Sequence, residues 1–171
     1  MPNAVSLYRI AHFLYKIHVP ILPKLIHYLI FFCYNCSIPY TVIIGKGTRC
    51  SHGGMGVLIN PSVVIGENCV IGTNCSIVGQ TPYNHTPQIK DDVFIANGAV
   101  IQGPVIIGNH VIVGANSVVT NSVPDYAIVG GIPARIIGDS RDLGYRIGKS
   151  KATDSSMKEE LSWNNYKKRY D

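Results

Sequence analysis

The spacing of hydrophobic positions changes at about Ile38, and this change divides the chain. Before Pro20, apolar residues recur every three or four positions, and a second helical stretch follows from Ile21 to Cys33. From Ile38 onward the period is six residues, which neither a helix nor an ordinary strand requires. We therefore expect two N-terminal helices followed by a repeated β structure. The aliphatic or cysteine residues of the repeat are Ile38, Ile44, Cys50, Ile59, Ile65, Ile71, Ile77, Ile89, Ile95, Ile101, Ile107, Val113 and Val119.

The residues between the repeated aliphatics are typical of tight corners. Small residues such as Gly66 follow the aliphatic row directly, which lets the chain turn close to its neighbours. Asn68, Asn74 and Asn116 lie three positions after the row, and asparagine tolerates the left-handed backbone conformation that corners need. Three six-residue units then form one triangular coil, in which each edge pairs with the edges above and below. The sequence therefore predicts a mainly β fold, a parallel β-helix of hexapeptide repeats.

Two irregular segments interrupt the six-residue period. Nine residues rather than six separate Cys50 from Ile59, and residues 80–87 have the composition of a loop. The first segment contains His52 and the second contains His85. Irregular segments of a regular solenoid are where functional residues are usually placed, so these two histidines are the first candidates for chemistry.

Length and charge suggest one domain with short appendages. In the chain of 171 residues we assign 1–36 to an N-terminal helical segment, 37–138 to the β-helix domain and 139–171 to a polar C-terminal tail. Ser156 and Glu159 form a capping box that predicts a helix within the tail. Only 15% of residues are charged, and most of these lie in the tail. The β-helix must therefore bury much of its surface, which predicts self-association.

Composition bears on which partners the chain can have. The net charge of +5 is spread thinly, with no run of Lys and Arg interleaved with aromatics, so nucleic acid is not expected. The longest dense apolar stretch, Leu25 to Tyr34, is about ten residues, against about 20 needed to span a bilayer, so no transmembrane helix is predicted. Arg9, Lys16 and Lys24, with neighbouring aromatics, would nevertheless suit N-terminal helices that lie on a membrane surface.

Cysteine usage favours a cytoplasmic protein. Five cysteines, an odd number, and the lack of a secretory signal pattern argue against a disulfide framework. Cys33 and Cys36 have the spacing of a redox or zinc pair, but the chain has no second pair, so we expect no metal there. Cys50, Cys69 and Cys75 occupy the apolar rows and are predicted to be small core residues.

Three motifs resemble those of a known family. They are Ile-Gly-Glu-Asn-Cys-Val-Ile-Gly at 65–72, Val-Gly-Ala-Asn-Ser-Val-Val at 113–119 and Gly-Gly-Ile-Pro-Ala-Arg at 130–135. They are similar to motifs of the left-handed β-helix acyltransferases, particularly the serine acetyltransferase-like branch, which includes short proteins associated with surface polysaccharides. The resemblance implies a left-handed β-helix, acetyl-CoA as acyl donor, and a homotrimer with active sites between neighbouring β-helices.

The two loop histidines match active-site histidines of that family. A hydroxyl acceptor is a weak nucleophile at neutral pH and needs a positioned base, a role that histidine fits. His85, in Asn-His-Thr-Pro, stands where the family carries an active-site histidine just before a proline. His52 resembles the second histidine, although it is displaced by one residue relative to Gly56, and Ser51 stands where an aspartate is usual. We expect His85 to be the base, with His52 as the other catalytic residue. The resemblance to serine acetyltransferases implies the reverse assignment, with His52 as the base.

The resemblance also suggests how acceptor and donor bind. Asn84 stands at the acceptor-binding position, where serine acetyltransferases carry an arginine, so a carboxylate would lose its bidentate partner. This favours a sugar hydroxyl of a surface polysaccharide, with free serine as the alternative if Arg49 compensates. Positions of galactoside-type acetyltransferases that contact coenzyme A correspond here to Asn97, Ala115, Thr120, Asn121 and Arg135. Arg135 is the cation expected to meet a phosphate, unless it forms a structural salt bridge instead.

Two other functional classes remain open. The gamma-class carbonic anhydrases share this fold and bind zinc through three histidines, and His52, His85 and His110 would supply three. The close histidine pair of that family is missing, and His110 follows a corner asparagine, which favours a structural role. A non-catalytic scaffold is the second possibility, but it leaves the two histidine-bearing irregular segments without a purpose.

Overall fold

A computed structural model describes residues 3–143, where two helices precede fourteen short strands. The helix predicted in the tail lies outside these residues. The helices are α1 (Ala4–Lys16) and α2 (Leu22–Tyr34). The strands are β1 (Ile43–Ile44), β2 (Arg49–Cys50), β3 (Leu58–Ile59), β4 (Val64–Ile65), β5 (Val70–Ile71), β6 (Ser76–Val78), β7 (Gln88–Ile89), β8 (Phe94–Ile95), β9 (Val100–Gln102), β10 (Ile106–Ile107), β11 (Ile112–Val113), β12 (Val118–Val119), β13 (Ala127–Gly131) and β14 (Ala134–Asp139). None of the described helices is long and apolar enough to cross a membrane.

The strands stack into the three faces of a triangular coil. Sheet I has the order β1-β4-β7-β10, sheet II β14-β13-β11-β8-β5-β2, and sheet III β12-β9-β6-β3. Successive coils pair in parallel, so that Ile44 lies opposite Ile65 and Ile65 lies opposite Ile89. The predicted parallel β-helix of hexapeptide repeats is confirmed, because each repeat contributes one edge of a coil.

The repeated aliphatics fill the axis and the small residues make the corners. All thirteen residues of the predicted row are buried. Asn68, Asn74 and Asn116 have φ values of 55°, 56° and 54°, as the corner geometry requires. A Cβ at Gly45 would lie 2.5 Å from the backbone carbon of Gly66 on the next coil, so the corners pack too closely for a side chain there.

The first helix closes one end of the β-helix. Asn3 caps α1 and also donates a side-chain hydrogen bond to the carbonyl of Cys50 at 2.6 Å. The Tyr8 hydroxyl donates to the carbonyl of Val42, and the Arg9 guanidinium donates to the carbonyl of Gly45 at 2.7 Å. These contacts fix the hairpin of α1 and α2 on the first coil.

A β-hairpin closes the opposite end. The six-residue period stops after Val123, yet β13 continues sheet II by pairing in parallel with β11. β14 then returns antiparallel along β13, with Arg135 opposite Gly130 and Asp139 opposite Ala127. The motif at 130–135 therefore forms the end of β13, the turn and the start of the returning strand.

Candidate active site

His52 and His85 lie at opposite edges of sheet III. His52 belongs to a short 3₁₀ turn, Ser51–Gly54, between β2 of sheet II and β3 of sheet III. His85 lies in the loop between β6 of sheet III and β7 of sheet I. Both side chains are exposed. A single chain therefore presents the two histidines on different corners and does not bring them together.

Four of the predicted residues form a column along the corner between sheets II and III, which we call the II/III edge. His52 lies on the first coil, Asn97 on the third and Ala115 on the fourth. Arg135 lies beyond them, opposite Gly130 in the closing hairpin. Five strand spacings separate β2 from β14 in sheet II, or about 24 Å along the axis.

Asn97 links three coils of this edge. Its side-chain oxygen accepts a hydrogen bond from the Thr73 amide at 2.9 Å, and its carbonyl accepts one from the Asn116 amide at 3.0 Å. A Cβ at Gly72 would lie 2.5 Å from the Asn97 side-chain oxygen. These contacts give Asn97 a structural role that the sequence did not reveal, and they fix the backbone shape of the edge.

The turn that carries His52 accounts for the first irregular segment. His52 and Gly53 have φ values of 49° and 80°, so the extra residues coil tightly instead of extending sheet II. Gly54 is buried, and a Cβ there would lie 3.1 Å from the Cβ of Ala4 on α1. Helix α1 thus packs against the back of the turn while the His52 side chain faces outward.

The remaining predicted residues lie along the corner between sheets III and I, which we call the III/I edge. Asn84 and His85 are exposed in the loop 80–87. The Tyr83 amide donates a hydrogen bond to the Gln80 carbonyl at the start of this loop, and the Thr86 hydroxyl donates one to the Ser62 carbonyl near its end. Two coils further along, Thr120 and Asn121 follow β12 and are also exposed. Residues predicted to bind the donor are therefore present on both edges of sheet III, whereas the predicted acceptor-binding residue, Asn84, lies on the III/I edge.

Carboxylates are confined to the third corner, between sheets I and II, which we call the I/II edge. The described residues contain six carboxylates, and each lies on this edge or in the segment that ends beside it: Glu67, Asp91, Asp92, Asp125, Asp139 and Asp142. Neither edge of sheet III carries a described carboxylate. An anionic ligand would meet no like charge from residues 3–143 on those edges. Part of this uneven distribution of carboxylates is visible in the sequence, since the first 66 residues contain no Asp or Glu.

His110 belongs to the network on the I/II edge. Its ring stacks on Tyr126 at a centroid distance of 4.8 Å, and its Nδ1 lies 3.7 Å from a carboxylate oxygen of Asp92. Nearby, hydrogen bonds from Arg141 lower the pKa of Asp139 to about 2.

The three histidines of the zinc alternative, His52, His85 and His110, lie on three different corners of the chain. No set of three metal-binding side chains is close enough to hold an ion in the described part of the protein.

Arg135 is an exposed cation without a carboxylate partner among the described residues. Its guanidinium donates one hydrogen bond, to the carbonyl of the adjacent Ala134 at 3.0 Å. The described ion pairs are those of Lys90 with Asp125, His110 with Asp92, and Arg141 with Asp139, all on the I/II edge. The structural salt bridge considered for Arg135 is therefore not formed within residues 3–143. As far as the described residues go, its other donor groups remain available to an anionic ligand.

Ser117, on the II/III edge, was not among the residues predicted from the sequence. Its hydroxyl is buried without a hydrogen-bond partner in the described structure. A Cβ at Gly114 would lie 3.2 Å from this oxygen, so the corner is tightly packed around it. The motif 113–119 indicated a corner but gave no signal that this hydroxyl would face inward.

Comparisons with known proteins place the chain in a family. The model of the bacterial transferase hexapeptide, six repeats, matches residues 86–121. The serine acetyltransferase of Bacillus subtilis (strain 168) is 37% identical over 151 residues, covering 84% of this chain and 69% of that protein.

Solved serine acetyltransferases have the same fold. The enzyme from Brucella abortus strain S19, in complex with coenzyme A, superposes with a TM-score of 0.76 at 29% identity, over 80% of this chain and 55% of that one. The enzyme from Neisseria gonorrhoeae, in complex with serine, gives 0.73 at 27% identity, over 79% and 55%. The chain spans little more than half the length of these solved chains. It belongs to the serine acetyltransferase-like family of left-handed β-helix, acetyl-CoA-dependent acyltransferases.

Proposed function

We propose that the protein transfers the acetyl group of acetyl-CoA to the hydroxyl of free serine. The observation that carries the proposal is the II/III edge. His52 and Arg135, a cation with no ion-pair partner among residues 3–143, lie there in one column that holds no described carboxylate. The names of the curated relatives favour serine over the sugar hydroxyl expected from Asn84. Serine is therefore the acceptor to test first.

The residues of the II/III edge fit an extended, anionic donor. Arg135 would contact a phosphate at one end, since a guanidinium forms paired, charge-assisted hydrogen bonds with phosphate oxygens. Asn97 and Ala115 would offer backbone groups along the middle of the column. His52 marks the other end, about 24 Å away, where the thioester would lie. Acetyl-CoA supplies the activated carbonyl carbon that the acceptor attacks.

A complete site requires a second chain. His85, Thr120 and Asn121 lie on the III/I edge, across sheet III from His52. We infer a homotrimer in which the II/III edge of one β-helix faces the III/I edge of its neighbour. Such an arrangement supports the proposal because it unites all the candidate residues, which one chain leaves on separate corners.

In this arrangement His85 acts as the general base. Its neutral imidazole takes the proton of the serine hydroxyl as that oxygen bonds to the acetyl carbon. The carbon–sulfur bond of the thioester breaks, and the proton passes from the imidazolium to the departing sulfur. His52 hydrogen-bonds to the acceptor and orients it. Proton transfer by a positioned side chain contributes about 10²- to 10⁴-fold to the rate.

Arg49 is the candidate partner for the serine carboxylate. The loop 80–87 contains no Lys or Arg, and Asn84 is uncharged. Arg49 lies on β2, three residues before His52, and is exposed. It is the cation nearest in sequence to His52, so a carboxylate held by Arg49 would keep the serine hydroxyl close to the histidines.

A sugar hydroxyl is the second candidate acceptor, and Asn84 is the observation that favours it. An amide side chain can donate to and accept from a sugar hydroxyl, but it cannot neutralise a carboxylate. Serine requires a cation such as Arg49 to bind its carboxylate, whereas a sugar carries no charge for Arg49 to bind.

Release of free coenzyme A thiol, measured with a panel of acceptors, tests the proposal. We expect serine to be acetylated at least about tenfold faster than serinamide, which has the same hydroxyl but no carboxylate. Faster turnover with N-acetylglucosamine or galactose than with serine would replace serine by the sugar candidate. Thiol release that no acceptor stimulates would contradict acetyl transfer to a hydroxyl altogether.

A further inference from the structure

Helix α2 is apolar on nearly every side, yet it is largely exposed. Of its thirteen residues only Pro23 and Ile30 are buried. Phe32 is 82% exposed and Leu25 is 55% exposed. A helix that is hydrophobic all round is ordinarily buried. This surface therefore calls for an apolar covering that residues 3–143 of one chain do not supply.

The end of α1 and the connection to α2 extend this surface. Ile17 and Ile21, between the two helices, are more than half exposed, and so is Phe13 on α1. We use the term apolar hairpin surface for the exposed hydrophobic side chains of this region. Its members are Ile10, Phe13, Tyr15, Ile17, Ile21, Leu22, Leu25, Tyr28, Leu29, Phe31 and Phe32.

Polar contacts on the inner side of the hairpin hold this surface in place. The Nδ1 of His12 lies 2.7 Å from the carbonyl oxygen of Tyr40, and the Nδ1 of His27 lies 3.1 Å from that of Ile38. The rings of Tyr15 and Tyr40 pack at a centroid distance of 5.2 Å. The imidazoles of His12 and His27 thus face the β-helix, while most of the large apolar side chains of the hairpin face outward.

Cations border the apolar hairpin surface. Lys16 ends α1, His18 lies in the connection, and Lys24 lies in the first turn of α2. The Lys24 ammonium is 6.0 Å from the centre of the Tyr28 ring. The first 66 residues contain no carboxylate side chain, and the described carboxylates lie on or beside the I/II edge from the second coil onward. The described residues at this end of the molecule therefore carry a net positive charge.

Charge distinguishes between two ways of covering the apolar hairpin surface, by a second copy of the chain or by a lipid bilayer. A second copy of the chain would bring a second set of Lys16, His18 and Lys24 with no carboxylate from its own hairpin, so like charges would approach each other. A bilayer with anionic phospholipids supplies hydrocarbon for the aliphatic side chains, an interface suited to aromatic rings, and phosphates for the lysines.

We propose that the hairpin of α1 and α2 binds the surface of a bilayer containing anionic phospholipids. Each helix has thirteen residues and is about 20 Å long, shorter than the hydrocarbon core of about 30 Å, so the helices lie in the plane of the interface. The β-helix is then held beside the membrane with both edges of sheet III unaltered. This property goes beyond acetyl transfer, which needs no membrane when the acceptor is free serine.

Co-sedimentation of the full chain with vesicles tests the proposal. We expect binding to phosphatidylcholine vesicles that contain about one third phosphatidylglycerol, and much weaker binding to pure phosphatidylcholine or at raised salt. Lys24→Glu should lower the partition coefficient about tenfold or more. Lys90→Glu makes the same charge change on the I/II edge and should leave partitioning within about twofold of the wild type. Phe32→Ser should weaken binding to anionic vesicles without altering circular dichroism.

Each alternative gives a distinct result. Failure of the wild type to bind anionic vesicles, or equal losses in Lys24→Glu and Lys90→Glu, would overturn the proposal. A smaller particle mass for Phe32→Ser in sedimentation without vesicles would instead show that a second copy covers the surface. Acetyl transfer to soluble acceptors, measured in the same variants, should not change, so failure of membrane binding is separable from failure of the proposed activity.

Discussion

Arg135 pairs with Gly130 across the closing hairpin, and this pairing places the cation at the II/III edge. Gly130 lies next to Gly114, because the Gly114 amide donates to the Val129 carbonyl at 2.8 Å. Had the chain continued as another coil, Arg135 would occupy a different position. The antiparallel return of β14 therefore brings the guanidinium onto the edge that carries His52.

Arg135→Gln should weaken coenzyme A binding about ten- to a hundredfold, because a charge-assisted hydrogen bond to phosphate is lost. Calorimetry with coenzyme A and with dephospho-coenzyme A would locate the contact. Equal losses for both ligands would place Arg135 at the pyrophosphate and not at the 3′-phosphate. Arg141→Gln, which removes a guanidinium paired with Asp139 on the I/II edge, is the matched control and should bind normally.

His85→Ala should lower kcat by about two to four orders of magnitude while leaving acetyl-CoA affinity nearly intact, since a general base acts on the chemical step. His52→Ala should mainly raise the KM of the acceptor, as expected for an orienting residue. Rate profiles over the pH range in which histidine titrates decide between the two, because the variant that lacks the base loses the acidic limb. Normal turnover of His85→Ala would exclude it as the base.

Arg49→Gln should raise the KM for serine about tenfold or more and leave the KM for serinamide unchanged, because only serine carries the carboxylate that a guanidinium binds. Asn84→Arg should improve serine binding if the loop 80–87 lines the acceptor site. An equal effect of Arg49→Gln on both acceptors would show that Arg49 does not contact the carboxylate.

Gly45→Ala should destabilise the fold by about 2 kcal/mol or more, because the new Cβ would lie 2.5 Å from a backbone carbon of the next coil. Urea unfolding followed by circular dichroism measures the change. Gly79→Ala is the control, since its nearest contact would be an ordinary 3.5 Å to Thr86. Similar losses in both variants would show that crowding between coils at Gly45 does not set the cost, because the lower entropy of the unfolded chain by itself favours the folded state in both variants.

Iodoacetamide should label Cys33 rapidly in the native protein and the other four cysteines only after unfolding. Cys33 is exposed, whereas Cys36, Cys50, Cys69 and Cys75 are buried. Burial also raises the pKa of Cys36 to about 12, which suppresses its reactive thiolate. Mass spectrometry of wild type and Cys33→Ser counts the labels. Rapid labelling of Cys33→Ser would show that the coils open more readily than this packing implies.

The six-residue spacing determined the repeat of the fold, because each hexad contains the residues that form one short strand and one corner. An aliphatic such as Ile71 fills the axis, Gly72 permits the turn, and Asn74 adopts φ of 56° at the corner. The same pattern of residues recurs along the chain, so the coils and their register could be predicted without tertiary information. The loops that carry His52 and His85 were found in the same way, as breaks in the pattern.

The same register also placed Asn97 and Ala115, which are eighteen residues or three hexads apart, on one corner of neighbouring coils. The tertiary structure alone decided where the residues outside the regular hexads lie. The position of Arg135 depended on the hairpin, which the periodicity did not contain. Likewise, whether α2 is covered is a property of its packing and not of its composition. These outcomes rest on contacts between segments distant in sequence, and a local pattern of residues does not encode such contacts.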